Sequence, residues 1–322
     1  MKTPIFGHAE INISHAALSR AVNALLSFPA ISRRSLAKNA GINENYAGRI
    51  LCAMEKCNLL TTPSYTSPRG YELNKNIASA VLDLSAARFS LSVIRSDGQC
   101  IFHYVADDYS FSFSDSIYPF LSRCAEKMNE DSVSASLMCV LHGGNINNKK
   151  QIIDGICADV FCMVPQLYIN SSDAASAIFD FRLLPYPENK GAAYIRLSED
   201  ITAFYRDLNG RILNCDASRL IFDKGISLSS AYAAAHTCEE LGEITARIMT
   251  AMDFSGELGV CIIESDRFGI HPKFTEILRR EYFTVSRPIP EIYSSSMTPG
   301  YLISAAEKLS LADLLLSLIK TP

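Results

Sequence analysis

Apolar residues recur at helical spacing through the first sixty positions. Ala17, Leu18, Ala21, Val22, Leu25 and Leu26 share one stripe of the segment 14–28, and Pro29 ends it. Ser32 is placed to cap a second helix, RRSLAKNA, that stops at Gly41. A third opens at Asn43 and runs ENYAGRILCAMEKC, with Ala47, Ile50, Leu51 and Met54 on its inner side. Small Ala37 lets the two helices approach, Gly41 makes the turn and Ile42 fills the junction. Residues 32–60 therefore have the pattern of a helix-turn-helix. TTPSYTSPRGYEL follows as two short polar strands around a Ser-Pro-Arg-Gly turn, a wing with Arg69 at its tip.

From Val81 the period shortens to two. VLDLSAARFSLSVIRSDGQCIFHYVAD reads as strands turning at Asp97-Gly98, and AAYIRLSEDITAFYRDLNGRILNCD repeats the design with its turn at Asn209-Gly210. After the first hairpin the pattern predicts helix 115–129, buried strand 135–141, helix 148–158, strand 166–170 and helix 172–180. After the second it predicts helix 229–252, buried strand 259–264, helix 272–283, strand 289–293 and helix 299–319. Each half is three antiparallel strands followed by alternating helix and parallel strand. Two such halves imply a duplicated, two-lobed α/β body with a cleft where ligands bind. The aromatics of YSFSFSDSIYPF alternate as an edge strand would.

Charge divides the chain where the pattern does. Residues 1–80 hold nine Lys/Arg against four Glu and no Asp, a net of +5, so the remainder carries −9 of the total of −4. A basic head on an acidic body points to a polyanion at the head alone. The third helix would enter the major groove with Asn43, Asn45, Tyr46 and Arg49, since Asn and Arg contact base edges bidentately. Arg33, Arg34 and Lys38 would lie near phosphates, and Arg69 in the minor groove. The alternative is a three-helix module that only packs against another protein, its charges solvated.

Composition narrows the remaining chemistry. With 48% apolar and 20% charged residues the chain is globular, and no apolar run reaches the ~18 residues of a membrane span. The start, MKTPIFGHAEINIS, lacks the pattern of a signal peptide. Ten cysteines lie scattered in apolar segments without a Cys-x-x-Cys pair, as buried thiols of a reducing cytoplasm do. Among them Cys52, Cys139, Cys162 and Cys261 lie singly in apolar segments, so no metal site is expected.

A winged helix ahead of this duplicated body resembles the ROK family of repressors and sugar kinases. The resemblance implies an N-terminal winged helix-turn-helix, mainly α, over 1–78. It implies an α/β actin/hexokinase-like (ribonuclease H-like) two-lobed body over 79–322. Lobe one would take 79–188 and the C-terminal helix 299–319, and lobe two 189–298. Kinases of this family cradle phosphate on Asp-x-Gly-Gly-Thr; here the matching stretch is Asp83-Leu84-Ser85-Ala86-Ala87-Arg88, with Asp83 kept and both glycines lost. The catalytic base position falls on Ser172, or on Asp173 with a slip of one residue, and Asp173 is equally a first-turn acid on a helix dipole. The sugar-contacting Gly-Glu-x-Gly-His and the zinc loop should follow the second hairpin, but NCDASRLIFDKGIS stands there with only Cys215. A second Gly-Gly is replaced by Glu264-Ser265-Asp266.

These losses imply no catalytic residue, no cofactor and no metal. His142-Gly143-Gly144 follows a buried strand and reads either as a ligand loop beside Asp83 or as a plain turn. The expectation is a cytoplasmic, homodimeric repressor on a double-stranded DNA operator, with a small-molecule effector. The alternatives are a residual sugar kinase with a DNA-binding head, and a non-enzymatic interaction scaffold.

Overall fold

The computed structural model describes residues 6–28, 30–61, 70–86, 88–106, 113–184, 189–198, 201–215, 221–223, 225–253, 257–265, 272–282, 289–294 and 300–320. Three helices follow the apolar stripes of the head: α1 (His15–Ser27), α2 (Arg33–Ala40) and α3 (Glu44–Lys56). Ser14, Ser32 and Asn43 each cap a helix by accepting a backbone N–H, which satisfies one of the free donors at its start. Gly41 ends α2 in the left-handed region at φ 61°. Its N–H bonds to Lys38 O and that of Ile42 to Ala37 O, the paired bonds of a Schellman turn. Leu18, Leu36, Ile50, Leu51 and Met54 meet at essentially zero exposure. Each contributes about 1.5–3 kcal/mol through burial.

The head is extended by strands. After β1 (Ala9–Glu10), a short antiparallel pair, β2 (Leu60–Thr61) and β3 (Glu72–Leu73), follows α3, and a bridge joins Ile31 to Tyr71. Residues 62–69, including Arg69 and the expected wing turn, lie outside the described residues. Gly70 must be glycine on two counts: its φ is +55°, and a Cβ would come within 2.7 Å of the Ile31 backbone.

The chain divides into two compact units, Met1–Phe181 with Leu302–Pro322, and Arg182–Tyr301. The head thus belongs with the first half of the body. That half is a five-stranded sheet of β4 (Ala78–Leu84), β5 (Ser90–Arg95), β6 (Cys100–Val105), β7 (Leu137–His142) and β8 (Leu167–Asn170), in the order β6-β5-β4-β7-β8. β4, β5 and β6 are antiparallel, while β7 and β8 run parallel to β4. Ala78, Ala80 and Leu82 face a core shared with α4 (Phe113–Glu130) and α5 (Asn147–Phe161), through Ile117, Leu121, Ile153 and Cys157. Both faces of β4 are buried, as a central strand requires. α6 (Ser171–Asp180) closes this half.

The second unit repeats the plan. β9 (Gly191–Leu197), β10 (Thr202–Arg206), β11 (Ile212–Cys215), β14 (Leu258–Ser265) and β15 (Glu291–Ser294) are ordered β11-β10-β9-β14-β15 with the same directions. A short pair, β12 (Ile221–Asp223) and β13 (Ile226–Ser227), leads into α7 (Leu228–Ala234). α8 (Cys238–Met252) and α9 (Pro272–Tyr282) supply Ile244, Ile248, Phe274 and Leu278 to a core with Ile195 and Cys261. Gly98 and Gly210 make the two hairpin turns at φ +83° and +77°.

Two expectations need correction. The segment read as an alternating edge strand is helical from Phe113, because Ile117, Phe120, Leu121, Cys124 and Met128 form a helical stripe that packs on the sheet. The helix expected over 229–252 is two helices. Thr237 and Glu240 form a reciprocal capping box that starts α8 afresh.

The last helix, α10 (Tyr301–Leu318), belongs to the first unit from Leu302 on. There the Cys139 thiol lies 3.8 Å from Ala306 O in a buried contact. Beside it Glu307 is 1% exposed, and its Oε1 has no hydrogen-bond partner among the described residues. Burial pushes its carboxyl up to about 7, against the pull of Lys308. α10 ends in β16 (Ile319–Lys320), which pairs in parallel with β1 (Ala9↔Ile319, Glu10↔Lys320). Gly7 N–H in turn bonds to Cys57 O just beyond α3.

All ten cysteines are free. Burial pushes Cys124, Cys139 and Cys157 up to about 12, so these thiols pack rather than react. No helix among the described residues is long and apolar enough to cross a membrane.

Candidate functional site

The exposed face of the head is built by two helix starts brought side by side. Because α2 and α3 bury Leu36, Ala37 and Ala40 against Ala47, Ile50, Leu51 and Met54, their opposite residues are left outward. Arg33, Arg34 and Lys38 of α2 are exposed, as are Asn43, Asn45, Tyr46 and Arg49 around α3. The Arg49 guanidinium lies 6.0 Å from the centre of the Tyr46 ring, which holds both side chains on one patch. Behind the patch, Arg20 donates to Ala40 O at 2.9 Å and so satisfies the carboxyl end of α2.

Two of the expected contacts have structural partners as well. Asn43 Oδ1 accepts Tyr46 N–H at 2.8 Å, so its oxygen is turned into the cap of α3. Arg33 reaches across to α3, donating from Nε to Glu44 O at 2.7 Å and from Nη2 to Asn45 Oδ1 at 3.0 Å. Gly48 makes room for it: a Cβ there would lie 2.9 Å from Arg33 Cζ and Nε. Gly48 was not singled out by the sequence reading. An isolated glycine inside a helical pattern was the available signal, since it costs about 1 kcal/mol unless something needs the space.

The residues suspected of binding a ligand gather at the carboxyl edge of three parallel strands. Register sets Leu84 beside His142 and His142 beside Asn170, so the segments after β4, β7 and β8 are neighbours. Asp83 is fully buried, and its Oδ1 accepts from Ser85 N–H at 2.8 Å and Ser85 Oγ–H at 2.6 Å. A Cβ on Gly143 would be 3.7 Å from Ser85 O, which places the two loops against each other. His142 is 8% exposed, and its Nδ1 lies 3.1 Å from Gly144 O. A carbonyl only accepts, so Nδ1 is the donor of this bond. Gly144 adopts φ +64° to bring that carbonyl round.

The two candidate base positions follow at the next strand end. Asn170 Oδ1 accepts from both Ser172 N–H (3.0 Å) and Ser172 Oγ–H (2.8 Å), so the Ser172 hydroxyl proton is spent on the cap of α6. Asp173 is exposed in the first turn of that helix.

In the second unit, Glu264 occupies the end of β14. Its Oε2 accepts from Tyr194 OH at 2.6 Å, and Arg196 Nε is 3.7 Å from Oε1. The carboxylate lies over Gly300, where a Cβ would collide with it. Tyr301 packs edge-on to Tyr194 with centroids 6.4 Å apart, and burial together with Glu264 raises its phenol. Asp266, residues 216–220 and residue 224 lie outside the described residues. Among the described residues no group of three His, Cys, Asp or Glu is arranged to hold a metal ion.

No protein-family model and no curated protein matches the sequence. Solved structures do match. A ROK family transcriptional regulator, a homologue of the E. coli MLC protein, superposes over 94% of this chain and 98% of its own at 12% identity and a TM-score of 0.61. The inorganic polyphosphate/ATP-glucomannokinase from Arthrobacter sp. strain KM covers 74% of this chain and 99% of its own, at 14% identity and a TM-score of 0.50. The resemblance to the ROK family read from the sequence thus holds in three dimensions, as a likeness of fold.

Proposed function

Starting from the fold shared with that regulator, we propose that the chain is a DNA-binding transcription regulator, acting as a repressor. Its body has given up phosphoryl transfer. Residues 1–78 form a winged helix-turn-helix, and 79–322 form a body that binds a small effector and joins two copies. The observation that carries this reading is the outward patch of Arg33, Arg34, Lys38, Asn45, Tyr46 and Arg49 on a head of net charge +5. Coverage supports it too. The kinase is matched nearly whole yet leaves about a quarter of this chain unaccounted for, and the regulator leaves only 6%.

On the body, three observations speak against catalysis. Asp83 is turned onto its own Ser85, and the Ser172 hydroxyl is bound to Asn170. Glu264 places a carboxylate where the resemblance implies a glycine loop for phosphate, and like charge repels. Asp83, His142, Gly143 and Gly144 remain as the effector loop, at the carboxyl strand ends where α/β sheets bind ligands. A single head makes few base contacts, and phosphate attraction alone gives only ~10⁻⁴–10⁻⁶ M, so a homodimer on a palindrome is the competent form. Its half-sites would be ~34–36 Å apart.

Selection of bound duplexes from a random pool by the purified full-length protein tests the reading, with ATP-dependent phosphorylation of a sugar panel run alongside. An enriched palindrome and no sugar phosphate are expected. A sugar-phosphate product would reinstate the kinase, and a protein that enriches no sequence would be a scaffold.

A further inference from the structure

The Arg33–Asn45–Gly48 arrangement goes further than placing a basic patch. We infer that Arg33 sets the base preference of Asn45, turning it from an adenine reader into a guanine reader. This rests on the DNA-binding reading above and deepens it. A guanidinium has donors only, so the Asn45 atom facing Arg33 Nη2 at 3.0 Å must be the carboxamide oxygen. The oxygen is therefore turned toward α2, and the two Nδ2 hydrogens are turned away from it.

A free asparagine pairs with adenine by accepting from N6 and donating to N7. Arg33 holds the Asn45 oxygen turned toward α2, so the side chain presents its donors outward. Guanine presents two acceptors in the major groove, N7 and O6, and suits a donor-only side chain. Adenine would set its N6 hydrogens against those of Nδ2. The contact is made in the first turn of α3, the part of a recognition helix that reaches base edges.

Two further features hold the device in place. The second bond, Nε to Glu44 O at 2.7 Å, fixes the guanidinium plane, so Nη2 cannot swing away without losing both bonds. Gly48, one turn along α3, leaves the flat surface on which that plane lies. Any side chain at 48 would put its Cβ 2.9 Å from Cζ and Nε, well inside ordinary contact. The glycine, the arginine and the asparagine thus act as one reading unit. Arg33 is a positioning residue here, acting through Asn45.

The test is duplex selection with the full-length protein and three variants: Asn45→Ala, Arg33→Met and Gly48→Ala. Wild type is expected to enrich guanine at one position of each half-site, by roughly 5- to 150-fold over adenine. Asn45→Ala should erase preference at that position and so identify it. Arg33→Met and Gly48→Ala should both move it from guanine to adenine. Gly48→Ala leaves Arg33 and Asn45 in the sequence and introduces a better helix former, so the fold is kept.

Other outcomes overturn the inference. One is a position erased by Asn45→Ala that is adenine in wild type. Another is an Arg33→Met protein that binds all sequences more weakly with unchanged preference, which would make Arg33 a phosphate contact. An Asn45→Ala protein with every preference intact would overturn it as well. If wild type itself enriches nothing, the DNA-binding reading fails first, and that result is distinct from the others.

Discussion

Glu307→Gln should stabilise the protein above pH 7 and leave it nearly unchanged at pH 4. Glu307 is buried on α10 with one oxygen lacking a partner among the described residues, and Lys308 Nζ is 3.9 Å from the other. Burial raises its folded-state pKa to about 7, with Lys308 opposing the shift and Asp97 adding to it. An unfolded glutamate titrates near about 4.3. Between those values the native state holds a proton that the unfolded state has released. Stability therefore falls as pH rises from about 4.3 to about 7 and is flat beyond. At 1.36 kcal/mol per pKa unit, the charged form costs about 4 kcal/mol at pH 8. Glutamine resembles the neutral acid and escapes that cost. With a urea m-value of about 3 kcal/mol/M, the variant's midpoint should lie roughly 1 M above wild type at pH 8, and the two should converge by about pH 4. Urea titrations monitored by circular dichroism from about pH 4 to 8 read this directly. Parallel midpoint profiles, or a variant less stable at pH 8, would refute a neutral buried Glu307.

Three other outcomes are expected. Arg49→Ala should weaken operator binding by ~1–3 kcal/mol and relax one base position, because a bidentate contact is lost; equal losses on operator and random DNA in a gel-shift titration would make Arg49 a phosphate contact instead. Gly300→Ala should cost ~1–3 kcal/mol by driving a methyl into the Glu264 carboxylate, and adding Glu264→Ala should recover part of that loss; thermal melts of the single and double variants decide it. Elemental analysis of the purified protein should find no stoichiometric zinc, since Cys215 alone cannot supply the four ligands of a structural site.

What could be read from the sequence was whatever local chemistry enforces. Gly41 with Ile42 spells the turn between α2 and α3, and Asp97-Gly98 and Asn209-Gly210 spell hairpins, so the helices of the head and the duplicated sheet are legible in the sequence. The edge-strand reading of YSFSFSDSIYPF failed because Phe111 and Phe113 alternate over too short a stretch to outweigh the helical stripe from Ile117 to Met128. The capping box at Thr237 and Glu240 was spelled out and missed, because apolar residues on both sides suggested one long helix. On the site, Arg33 and Asn45 were named as independent contacts. That they touch is a tertiary fact, set by the packing angle of α2 on α3, and spacing along the chain does not encode it. The same holds for Glu264, read as a lost glycine until its carboxylate was seen anchored by Tyr194.

The pairing of β1 with β16 has a consequence in time. Ala9 and Ile319 are 310 positions apart, and their bond network closes only when both have left the ribosome. At ~5–20 residues per second, roughly 15–60 s of synthesis separate them. The three helices of the head make mostly local contacts, so they fold early in that interval. A growing chain therefore carries a folded head whose leading segment rests on α3, through contacts such as the Gly7–Cys57 bond, without its strand partner. The clasp from α10 arrives last. Any product cut short before residue 319 keeps the head in that unclasped form.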